Sequence, residues 1–63
     1  MDSIYVLVSD GIEWEDILIV LDKEEAIQLS QTYKQSRVEI FKKNTCGYTP
    51  TYTYYRNGIY YQT

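Results

Sequence analysis

Four carboxylates fall within seven residues: Asp10, Glu13, Glu15 and Asp16 in "DGIEWED". Such a cluster can do acid–base work or hold a divalent cation. Calcium loops, however, place their ligands at fixed offsets around a glycine, and Gly11 follows the first acid directly, at the wrong offset. The stretch reads as a solvated acidic turn. Cys46 in "TCGYT" is the candidate nucleophile, but a reactive thiolate needs a partner that lowers its pKa. The chain has no histidine, and Lys42 and Lys43 are near Cys46 in sequence alone. One cysteine without histidine also excludes an intrachain disulfide and a four-ligand zinc site. The expectation is a protein that is not an enzyme and uses no cofactor or metal.

Tyrosine is the other concentrated chemistry. The chain has eight, and five lie in "PTYTYYRNGIYYQ", with Tyr48 just ahead. Rings interleaved with cations can hold single-stranded nucleic acid, the bases stacking and the cations meeting phosphates. Lys42, Lys43, Tyr48, Tyr52, Tyr54 and Arg56 are the residues for that reading. Against it stands the charge. The chain carries −3 overall. Residues 1–33 hold eight carboxylates against Lys23, a net −7, and residues 34–63 hold five cations against Glu39, a net +4. Tyrosine is also a strand former and a favoured interface residue, apolar in its body and polar at its tip. Sheet packing or a protein contact therefore ranks above nucleic acid. The opposite charges of the two halves read first as attraction within one fold.

These residues need elements to position them. "SIYVLVS" (Ser3–Ser9) and "DILIVL" (Asp16–Leu21) read as strands apolar on both sides, joined through a turn at Asp10-Gly11. Asp22 is an N-cap with Glu25 at the capping-box spacing. Ala26, Leu29, Ser30 and Tyr33, widened by Ile27, make the apolar stripe of a helix running from Lys23 to about Lys34. "RVEIFKK" (Arg37–Lys43) alternates, with Val38 and Ile40 on one side and Glu39 and Phe41 on the other. "NTCGYTP" (Asn44–Pro50) reads as a loop. Asn57-Gly58 signals a type I′ hairpin that pairs Tyr55 with Tyr60 and Tyr54 with Tyr61. The fold expected is a single α+β domain, residues 1–63. Its sheet is mostly antiparallel, with strand order 2-1-3 and the terminal hairpin added beyond the third strand. One helix packs on one face.

A single helix leaves the second face uncovered; Tyr5, Leu7, Leu18, Val20, Phe41 and some of the tyrosines are expected there, to be covered either by the terminal hairpin or by a second chain. A core of this size supplies at most about 3–5 kcal/mol without a staple. A large uncovered apolar patch usually marks an interface. The expectation is a homodimer whose contact draws on Tyr5, Leu7, Phe41, Tyr54 and Tyr60. No apolar run approaches a membrane span, and "MDSIYVLVSD" lacks the positive charge of a signal peptide. An intracellular, non-secreted protein is expected.

The strings "YVLVSDGIEWEDILIVLDKEEAI", "SRVEIFKKN" and "GYTPTYTYYRNGIYY" together resemble short proteins encoded by large DNA viruses of the marseillevirus kind. The resemblance covers most of the chain. It implies a small viral structural or interaction protein, packaged in the virion or held in the host cytoplasm, whose partners are itself and other viral or host proteins. It carries no catalytic residue.

Overall fold

A computed structural model describes residues 2–9, 11 and 13–62. Strand β1 is Ser3–Val8, followed by a 3-10 turn at Trp14–Asp16, and β2 is Leu18–Val20. Helix α1 is Lys23–Thr32, β3 is Arg37–Asn44, β4 is Gly47–Arg56 and β5 is Ile59–Gln62. The five strands form one antiparallel sheet in the order β2-β1-β3-β4-β5, with the helix against one side. This is the α+β architecture and the strand order expected from the sequence.

The local signals explain much of it. The Asp22 carboxylate accepts the Glu25 backbone N–H at 3.3 Å and caps α1. Asn57 and Gly58 both have positive φ, +53° and +80°, as a type I′ turn demands. Tyr55 pairs with Tyr60 and Tyr54 with Tyr61. The Asp10-Gly11 turn lies partly outside the described residues.

Three boundaries differ from expectation. The second strand is shorter, because the Asp16 N–H donates to the Glu13 carbonyl at 3.0 Å and closes the 3-10 turn. The helix stops at Thr32 rather than near Lys34. The Ser30 carbonyl, which would accept from Lys34 in a longer helix, instead accepts the Asn57 N–H at 3.2 Å. Tyr33 falls outside the helix and is exposed. Asn44–Pro50 is not a loop but a second hairpin. Asn44 Oδ1 accepts the Cys46 N–H at 2.9 Å, while Asn44 Nδ2 donates to Thr49 Oγ1 at 2.7 Å. These bonds close the chain over Thr45 and Cys46, and Gly47 starts β4 at φ +131°.

Leu7, Ala26, Val38 and Tyr55 form the buried core, with Tyr5, Val20, Ile27, Leu29 and Ile40 packed around it. Tyr5, Leu7 and Val20 therefore lie under the helix, not on the uncovered face where the sequence placed them. Leu18 shares their side, since Leu7 pairs with both Leu18 and Val38. β1 and β2 are apolar on both sides, so their own pattern is silent about direction. The register with β3 decides, because a one-residue slip exchanges the faces of every strand that follows it.

Candidate functional site

Residues directly opposite in neighbouring strands point to the same face. On the side away from the helix, one row crosses all five strands: Ile19, Val6, Glu39, Tyr54 and Tyr61. Ile4, Phe41 and Pro50 form a second row, and Val8 with Arg37 a third. The Tyr54 and Tyr61 rings stack with centroids 5.3 Å apart. Ile19 is 54% exposed and Tyr61 41%. The face is thus largely apolar and aromatic, with Lys43 toward one end and one charged pair inside it.

That pair is Arg37 and Glu39. Arg37 Nε donates to Glu39 Oε2 at 2.6 Å, and the two side chains follow each other on the same side of β3. Glu39 stands between Val6 and Tyr54, and the guanidinium beside it keeps the carboxylate satisfied among apolar neighbours. Among the described residues this ion pair is internal to the basic half. The acidic and basic halves meet there through strand pairing and helix packing, not through this ion pair.

A groove of about 320 Å³ lies beside the pair, lined by Val8, Arg37, Glu39, Phe41, Pro50 and Tyr52. Its far wall is made by a β-bulge. Glu39 pairs with Tyr54 and Phe41 with Pro50, so Thr51, Tyr52 and Thr53 stand against Ile40 alone. Thr51 Oγ1 donates to the Ile40 carbonyl at 2.8 Å and accepts the Thr53 N–H at 3.3 Å. With its proton on Ile40, it also accepts the Thr53 hydroxyl at 2.6 Å. These bonds hold Tyr52 in the left-handed region, φ +63°, with its side chain 69% exposed. A tyrosine there costs about 1–2 kcal/mol.

The residues singled out from sequence divide between the two sides. Phe41 and Tyr54 are on the open face. Tyr5 and Leu7 belong to the core beneath the helix. Tyr60 is on the helix side too, tilted against Tyr55 at 5.7 Å and half-exposed on the edge strand. Burial, and then the neighbouring Tyr60, hold the Tyr55 hydroxyl above the ordinary tyrosine range. Of the nucleic-acid set, Lys43 and Tyr48 pair on the open face, which also carries Tyr52 and Tyr54. Lys42 pairs with Thr49 on the opposite side. Arg56 reaches the Gln35 carbonyl at 3.5 Å.

Ile4, Val6, Val8, Ile19, Pro50 and Tyr61 were absent from the expected contact. The alternation of "RVEIFKK" gives the two sides of β3, but only the register of the folded sheet assigns these residues to one of them. The bulge that presents Tyr52 has no sequence signal. Glu13, Glu15 and Asp16 are exposed around Trp14, itself 86% exposed. Among the described residues no three His, Cys, Asp or Glu side chains group to hold a metal ion. Cys46 is exposed at the tip of the β3–β4 hairpin. No described helix is long and apolar enough to cross a membrane.

Fold and face together define a small α+β protein with one helix on one side of a five-stranded sheet and an open aromatic face on the other. No family model, curated protein or solved structure matches the chain.

Proposed function

We propose that the chain is a non-enzymatic interaction protein that works as a homodimer through the open face of its sheet. The row Ile19–Val6–Glu39–Tyr54–Tyr61 carries this reading. It spans the full width of the sheet, and among the described residues no helix or strand packs over it, although Val6 at its centre is only 8% exposed. The folded chain exposes 4692 Å², against about 4,250 Å² for a folded monomer of its mass by surface scaling. A second copy is the economical cover, since two-fold pairing is the commonest oligomeric arrangement. Glu39, the carboxylate within the face, is already committed to Arg37. This suits a contact better than proton transfer. Following the viral resemblance, the dimer is a structural or interaction component of a large DNA virus, located in the virion or the infected cytoplasm.

Sedimentation equilibrium tests the reading. The expected mass is twice the 7.5 kDa of the chain, and Phe41→Lys, which adds a cation between Arg37 and Lys43 on the face, should return the monomer. A monomer at every concentration would overturn it. The second reading, single-stranded nucleic acid, is favoured by the shared face of Lys43, Tyr48, Tyr52 and Tyr54. It requires an oligonucleotide affinity that falls steeply with salt.

A further inference from the structure

We infer that Tyr52 anchors the contact between copies, its ring entering the groove between Val8, Phe41 and Pro50 of a second copy of this chain. The anchor presupposes the open-face homodimer and names the residue that carries it.

The backbone is the first support. Tyr52 is the non-glycine residue of β4 with positive φ, the other being Gly47 at its start. Glycine would hold that φ without strain, and asparagine at lower cost. What tyrosine adds is the ring, and the residue stays 69% exposed. The second support is the arrangement of ring and groove side by side on one face. A two-fold contact is self-complementary, so each copy's ring meets the other copy's groove. At about 320 Å³ the groove stands at the lower end of small-ligand pockets, a size suited to a side chain. Charge is the third. Arg37 and Glu39 place a cation and an anion on the groove's lining. Bonded to each other, the two leave the groove's lining without net charge, so it does not repel a second copy.

The test compares wild type, Tyr52→Gly and Tyr52→Phe by sedimentation equilibrium, with a thermal melt of each at a concentration where the chain is monomeric. Tyr52→Gly should weaken the dimer by about tenfold or more, the loss typical of a central aromatic anchor. Its monomer should melt at or above the wild-type temperature, because the strain is gone. Tyr52→Phe keeps the ring and should dimerise within about threefold of wild type, since it removes a hydroxyl and none of the apolar ring. If wild type dimerises and Tyr52→Gly does so equally well, the anchor is wrong and the open-face dimer stands. If Tyr52→Gly dimerises weakly but its monomer also melts lower than wild type, the ring serves its own fold and the anchor is again wrong. A wild type that stays monomeric removes both.

Discussion

Ser30 shows how one side chain can hold two elements together. It is fully buried, donates its hydroxyl to the Ile27 carbonyl at 2.7 Å and accepts the Gly58 N–H at 2.9 Å. The apolar stripe of the helix predicted its inward direction. Its partner, 28 residues away, lay beyond any local pattern. Ser30→Ala fits the space but strips Gly58 of its acceptor. A part-buried donor left unpaired costs about 1–3 kcal/mol, so the urea midpoint should fall accordingly. An unchanged midpoint would mean that water replaces the hydroxyl and that the turn is not docked on the helix.

At the scale of elements, the β4–β5 hairpin and α1 stabilise each other. The Asn57-Gly58 turn donates both of its N–H groups to Ser30, and a side chain at position 58 would meet α1. An ideal Cβ on Gly58 would lie 2.6 Å from Gln31 Nε2. Gln31 is long and can move aside, so the larger penalty is the φ of +80°, where a β-branched residue is a steric outlier. Gly58→Val should lose about 1–3 kcal/mol. In a domain of this size each kcal/mol lowers the melting temperature by about 4–8 °C. The turn was legible because its chemistry is contained in two residues. The β3–β4 hairpin was not, because "NTCG" closes through the Asn44 side chain and not through a two-residue signature.

For the whole molecule, the decisive quantity is what covers the open face. If a second copy covers it, folding and association are linked, and the melting temperature must rise with protein concentration. A hundredfold increase in concentration should raise the wild-type melt measurably, while Phe41→Lys should melt at one temperature throughout. A concentration-independent wild-type melt would point to a face that is stable in water as a monomer, and would set the proposed dimer aside.

What the residues determined by themselves was everything that acts over a few positions. The Asp22 cap, the apolar stripe of α1, the alternation of β3 and the positive-φ turn at Asn57-Gly58 each rest on neighbouring backbone and side-chain chemistry, and together they set the strand order. The absence of histidine likewise removed the commonest neutral-pH base before any fold was known. Tertiary structure alone decided which side of β1 and β2 meets the helix, because both sides are apolar and only the pairing of Leu7 with Val38 breaks the tie. It also decided where β4 bulges. Three residues against Ile40 are held by threonine hydroxyls, and nothing in "TYT" distinguishes a bulge from a regular strand until the partner strand is in place.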